Sequence, residues 1–121
     1  MIDLYTANSS NGQRAAIMTE ECGLPYTVHK LDLFGGAQRR PEFLKINPAG
    51  TIPAIVDHDG PGGKPLTMAQ SGAILLYLAM KTGRFFPQAP ARRAGDLPNL
   101  TRWAAAIALR PSVRRAMQAA A

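Results

Sequence analysis

Ile52-Pro53-Ala54-Ile55-Val56-Asp57 places apolar residues behind a proline and runs into Asp59-Gly60-Pro61-Gly62-Gly63. The first stretch reads as a strand, the second as a reversal, and Lys64 to Met68 as the returning strand of a hairpin. A proline opening an inner strand gives up a backbone donor. The choice makes sense where Ile52-Pro53 is cis and the strand edge stays free. An extended peptide then pairs with the backbone of Ile52. A proline that only tightens the turn is the plainer reading of the same residues.

C-terminal to the hairpin, Gln70 to Thr82 has helical spacing, with Ile74, Leu75, Tyr77 and Leu78 on its inward side and Gly83 just past its end. N-terminal to it, Asn47-Pro48-Ala49-Gly50 is a turn and Pro41 to Ile46 a short helix opened by its proline. Gly35-Gly36 is a loop, and Pro25-Tyr26 begins a strand that ends near Leu33. Gln13 to Cys22 reads as a helix with Ile17 and Met18 inward, stopped by Gly23. Before it come a polar turn, Asn8 to Gly12, and a short strand, Ile2 to Tyr5. This order requires a right-handed crossover between parallel strands and then an antiparallel pair. The expected fold class is α/β, βαβ-α-ββα: a four-stranded mixed sheet of thioredoxin-like arrangement.

The texture changes after Gly83. The expected organisation is a compact unit at 1–83, a linker at 84–97 rich in Pro, Ala and Arg, and a short all-α segment at 98–121. Pro98 and Pro111 each stand where a helix begins; Leu100, Trp103 and Ile107 follow the first, Val113 and Met117 the second. Charge divides at the same place. Positive and negative residues balance over 1–83, whereas seven arginines face Asp96 alone beyond it, so the tail holds the whole net charge of +6. Only Trp103 interleaves with those arginines, which argues against a nucleic-acid partner.

A single cysteine makes no internal disulfide, and the acidic start Met1-Ile2-Asp3 does not resemble a secretory signal. The longest apolar run, Ala73 to Met80, falls far short of the ~20 residues a membrane span needs. Two histidines and one cysteine form no metal-ligand pattern. A soluble cytoplasmic protein with no membrane partner is expected.

Two helix N-termini offer anion sites. In Ser9-Ser10-Asn11-Gly12, a serine hydroxyl and the Asn11 amide are able to hold an ionised sulfur; simple N-capping accounts for the same residues. Gln70-Ser71 suits a carboxylate by the same physics. An anionic, peptide-like ligand carrying a thiol would satisfy all three places. Cys22 lies at the C-terminal end of its helix, where the dipole opposes a thiolate, and reads as a packing residue. His29, His58 and the Arg39-Arg40 pair read as structural or solvated, and Tyr5 as core.

Several stretches carry a family resemblance: Met1 to Tyr5, Asn11-Gly12, Gln38 with Arg40-Pro41-Glu42-Phe43-Leu44, Ile52 to His58, Gly62-Gly63, and Ser71 to Ala79. Through them residues 1–86 resemble the N-terminal domain of cytosolic glutathione transferases, most nearly the bacterial nu class of glutathione-dependent disulfide-bond reductases. The resemblance implies glutathione as co-substrate, no metal, a small electrophile or disulfide as the second partner, and a homodimer. It implies that Ser9 and Asn11 activate the thiol and that Ile52, beside cis-Pro53, pairs with the cysteinyl backbone. Gln70 and Ser71 would hold the γ-glutamyl end, and Gln38 would face the glycyl end. Gln70 stands where close relatives carry Glu, which removes one charge-assisted contact. Phe86 to Ala94 and the segment from Asp96 resemble the first and last pieces of the family's helical domain, with an apparent join near Gly95-Asp96 and the middle absent. The alternative reading is therefore a non-catalytic glutathione-binding remnant without an acceptor pocket.

Overall fold

The computed structural model describes residues 1–85, 106 and 108–120. Strand β1 (Ile2–Thr6) buries Ile2, Leu4 and Thr6 and turns Asp3 and Tyr5 to the other face, the period-2 pattern read from its sequence. Helix α1 (Ser10–Cys22) follows, then β2 (Tyr26–Lys30), a 3₁₀ turn at Ala37–Arg39 and the one-turn helix α2 (Pro41–Leu44). The hairpin is β3 (Ala54–Asp57) and β4 (Leu66–Ala69), joined through Pro61–Gly63. Helix α3 (Ser71–Thr82) and helix α4 (Pro111–Ala120) complete the described elements. The sheet order is β2-β1-β3-β4, with β1 parallel to β2 and antiparallel to β3, and β3 antiparallel to β4. This is the thioredoxin-like mixed sheet expected.

The core joins β1 and β3 to α1 and α3 through Ile2, Leu4, Ala15, Ala16, Ile55, Ile74 and Leu78. Both helices stop on a glycine in the left-handed region, Gly23 at φ 68° and Gly83 at φ 65°. Several boundaries and faces differ from expectation. Helix α1 begins at Ser10 rather than Gln13, because Ser9 caps it. Its inward residues are Ala15, Ala16, Thr19 and Cys22, with Ile17 and Met18 only partly covered. Strand β2 ends at Lys30 rather than near Leu33, since Asp32 turns the chain by accepting the Gly35 N–H at 3.0 Å. Pairing in β3 begins at Ala54, two residues after Ile52.

The described end of the tail packs on α1. Val113 and Ala116 are buried there, whereas Met117, expected beside Val113, stays 39% exposed. Arg115 pairs with Glu20 at 3.0 Å, and Arg110 and Ser112 both engage Glu21. Glu20 also accepts the Tyr26 hydroxyl at 2.7 Å; burial first, and this bond second, raise the Tyr26 pKa. The linker expected at 84–97 and the helix expected from Pro98 with Leu100, Trp103 and Ile107 lie outside the described residues, apart from Arg84 and Phe85. No helix of the described residues is long and apolar enough to cross a membrane.

Candidate functional site

Strand register brings the candidate residues together. Tyr5 lies opposite Ala54, Ala54 opposite Ala69, and Thr6 beside Lys30. The exit of β1, the entry of β3, the exit of β4 and the exit of β2 therefore share one end of the sheet. Ser9, Ile52-Pro53 and Gln70-Ser71 sit on the first three of these chain segments. Gln38 sits on the loop after β2, close to Gly50, whose added Cβ would lie 3.1 Å from the Gln38 carbonyl oxygen. The sequence joined Ser9 to Gly12, Ile52-Pro53 and Gln70-Ser71 only through the one ligand that would satisfy them; the strand ladders bring them to one end of the sheet.

Ser9 has extended backbone (φ −144°, ψ 159°) and its Oγ accepts the Gly12 N–H at 3.1 Å. The N-cap role is thus present, and it uses a lone pair, leaving the hydroxyl proton to donate. Asn11 is exposed in the first turn of α1, and its Oδ1 accepts from Arg14 Nη1 at 3.1 Å. That turn contains no acidic residue, so nothing within it cancels the positive end of the helix dipole. Gly12 is the residue the sequence undervalued. A Cβ there would stand 2.4 Å from both the Ala7 carbonyl oxygen and Thr6 Oγ1. Only glycine lets the helix start approach the end of β1 so closely.

The Ile52–Pro53 peptide is cis. Among the described residues neither the N–H nor the carbonyl of Ile52 has a backbone partner. The turn before it is held by Asn47, a buried residue the sequence reading passed over. Asn47 Nδ2 donates to the Thr51 carbonyl at 2.7 Å and to Thr51 Oγ1 at 3.1 Å, and its Oδ1 accepts from Ala49 N–H at 3.2 Å. The Asn-Pro pair was the available signal. Gln70 takes φ 75° and ψ 119° with no side-chain cap bond, an uncommon conformation for a residue with a Cβ. Its carbonyl still accepts the Ile74 N–H at 3.0 Å, so the first turn of α3 begins at Ser71 with its own N–H groups open. Gln38 Oε1 is buried and, among the described residues, lacks a hydrogen-bond partner. An orphaned acceptor at this end suits an N–H group of a ligand.

Charged groups cluster farther down the sheet. Asp3 bridges His29 at 2.9 Å and His58 at 2.7 Å, and hydrogen bonds from His58 and then His29 lower its pKa. His29 stacks on Tyr5 at 4.5 Å, and Tyr5 meets buried Phe43 from α2 at 5.9 Å. Tyr5 therefore packs beneath α2 instead of reaching the loop. Of the two readings offered for His29 and His58, structural or solvated, the structural one holds: both are tied to Asp3, across 26 and 55 positions. Asp57 is fully buried and receives the Tyr77 hydroxyl at 2.5 Å, Lys81 Nζ at 2.7 Å and the Asp59 N–H at 2.9 Å. Burial raises its pKa, but these donors outweigh it and the net shift is downward. The network clamps β3, which follows Pro53, to α3, which begins at Ser71. Cys22 is buried, near the Leu78 carbonyl at 3.8 Å.

A cleft of 380 Å³ opens beside the site, lined by Ala7, Asn8 and Lys30 to Phe34. Phe34 is fully exposed at its rim. None of the seven candidate residues lines this cleft. The arrangement offers an extended, anionic peptide backbone pairing at Ile52, with the N-termini of α1 and α3 at the same end of the sheet.

Known proteins are similar to this chain over most of its length. The family model described as "Glutathione S-transferase, N-terminal domain" matches residues 8–81. Disulfide-bond oxidoreductase YfcG of Escherichia coli is 52% identical over 98 residues, covering 80% of this chain and 46% of its own. A glutathione transferase from Burkholderia graminis, solved with two glutathione molecules per subunit, is 49% identical with a TM-score of 0.71, over 73% of this chain and 37% of that one. A glutathione transferase from Pseudomonas putida, solved with one glutathione disulfide per subunit, is 44% identical with a TM-score of 0.72, over 83% of this chain and 44% of that one. The chain spans less than half the length of each of these relatives.

Proposed function

The chain belongs to the glutathione S-transferase N-terminal-domain family, and from that membership we propose that it binds glutathione and uses the bound thiolate as a nucleophile. The carrying observation is the meeting of Ser9, Ile52 and Ser71 at one end of the sheet through the β1–β3 and β3–β4 registers. Ile52 pairs with the cysteinyl backbone beside Pro53. Gln70 and Ser71 hold the γ-glutamyl end at the open N-terminus of α3, and Gln38 meets the glycyl end. Ser9 Oγ–H and the Asn11 amide donate to the sulfur, and the α1 dipole adds to them, so that the ionised form is favoured.

The thiolate attacks one sulfur of a small disulfide. A glutathione–substrate mixed disulfide forms, and the other sulfur leaves as a thiolate. A second glutathione thiolate then attacks the mixed disulfide, releasing the reduced substrate and glutathione disulfide. The relatives solved with two glutathione molecules and with glutathione disulfide support this stoichiometry. Attack on a small electrophile would use the same bound nucleophile. A homodimer belongs to this reading; Leu76 and Met80, exposed on α3, support it.

Non-catalytic glutathione binding is the second reading. It is favoured by the exposure of Asn8 and Asn11, which leaves the thiol end in contact with water, where donors act more weakly. One set of measurements separates the two. Calorimetry with glutathione and a glutathione-dependent disulfide-reduction assay are run on wild type, Ser9→Ala and Asn11→Ala. Binding with turnover that falls at least about tenfold in either variant supports the enzyme. Binding without turnover leaves the second reading, and no binding at millimolar glutathione removes both.

A further inference from the structure

We propose that Arg14 is a positioning residue for the thiol-activating amide of Asn11. A carboxamide has a donor end and an acceptor end of nearly equal shape, and only the donor end attracts a thiolate. Arg14 Nη1 occupies the acceptor end, Asn11 Oδ1, at 3.1 Å. With Oδ1 committed to the guanidinium, Nδ2 is the end left to face a ligand. The two side chains stand three residues apart on α1, the spacing that sets helix neighbours one above the other.

A second observation concerns charge. Among the described residues Arg14 pairs with no carboxylate, whereas Arg110 and Arg115 are engaged by Glu21 and Glu20, and Lys81 by Asp57. Glu20 and Glu21 belong to the far end of α1, and the first turns of α1 and α3 carry no acid. Among the described residues the Arg14 cation is thus cancelled by no ion pair, and its charge acts on the Asn11 amide that it holds. Arg14 acts both by orienting Asn11 and by lending it charge, which strengthens the amide as a donor.

This inference rests on the reading that Asn11 faces the sulfur, and the experiment keeps the two apart. The ultraviolet absorbance of the glutathione thiolate is followed against pH with wild type, Arg14→Ala, Arg14→Lys, Asn11→Ala and the double variant Arg14→Ala/Asn11→Ala. The expected result is a rise in the bound thiol's apparent pKa of about half a unit in Arg14→Ala, a roughly threefold loss of thiolate below that pKa. Arg14→Lys, which keeps the charge and a donor, recovers most of it. In the Asn11→Ala background the Arg14 effect largely vanishes, because the two act through one group. Arg14 is exposed, so these variants fold and the comparison is clean. An equal Arg14→Ala shift with and without Asn11, or no shift while Asn11→Ala has one, overturns the inference alone. Should Asn11→Ala itself leave the thiol pKa unchanged, or glutathione fail to bind, the underlying reading falls and takes this one with it.

Discussion

Replacing Gly12 by alanine tests the geometry at the head of α1, and replacing Gly72 by alanine supplies the opposite sign. Both glycines lie in the first turn of a helix, so intrinsic propensity favours alanine at each by up to about 1 kcal/mol. Their surroundings differ. The new Cβ at position 12 would lie 2.4 Å from the Ala7 carbonyl oxygen and 2.4 Å from Thr6 Oγ1. Normal contact needs roughly 1 Å more. The carbonyl is backbone, and Thr6 is fully buried with a stiff χ1, so α1 itself must shift. Overpacking of this kind costs about 2–3 kcal/mol, which leaves a net loss of about 1–2 kcal/mol. For 121 residues the unfolding entropy makes each kcal/mol worth about 4 °C, so Gly12→Ala lowers Tm by about 4–8 °C. At Gly72 the Cβ meets nothing within 4 Å. Gly72→Ala therefore raises Tm by about 2 °C through unfolded-state entropy. Because Gly12 N–H bonds to Ser9 Oγ, the shift at position 12 also weakens glutathione binding. Thermal unfolding followed by calorimetry reads both effects. A Gly12→Ala protein at or above the wild-type Tm, or two shifts of the same sign, would refute the reasoning.

Asp57→Asn should cost roughly 2–4 kcal/mol in urea unfolding, because it removes the charge that Lys81 and Tyr77 satisfy in a buried place. The wild-type pKa of Asp57 is lowered on folding, so its stabilising share is complete above the unfolded value near ~4 and is lost as pH falls through the folded value. The stability of the Asn variant should depend less on pH below about 4; an unchanged acid limb would count against the network. Gln70→Gly relieves a left-handed conformation worth about 1–2 kcal/mol but adds unfolded-state entropy, so stability should hold or rise slightly while glutathione affinity falls. A variant that binds as tightly as wild type would remove the side chain of Gln70 from the site.

The amino-acid sequence by itself determined the element order. Alternation in Ile2 to Tyr5, the glycine reversal at Gly60 to Gly63, and the glycines that end both long helices are local signals, and local signals suffice for strands, turns and helix stops. Composition likewise separated a charge-balanced unit from an arginine-rich tail. Three matters were decided only by tertiary structure. Ser9, Ile52 and Gln70 are up to 61 positions apart, and nothing in their neighbours says that they meet; the antiparallel ladders do, because register fixes which loops share an end of the sheet. Gly12 and Asn47 looked like turn residues, since close approach to Thr6 and a bond to Thr51 are properties of position, not of residue type. Asp3 gathers His29 and His58, and Ala116 rather than Met117 is buried on α1, because partners and faces are set by whatever the chain folds against. Periodicity is written along the chain; proximity is created across it.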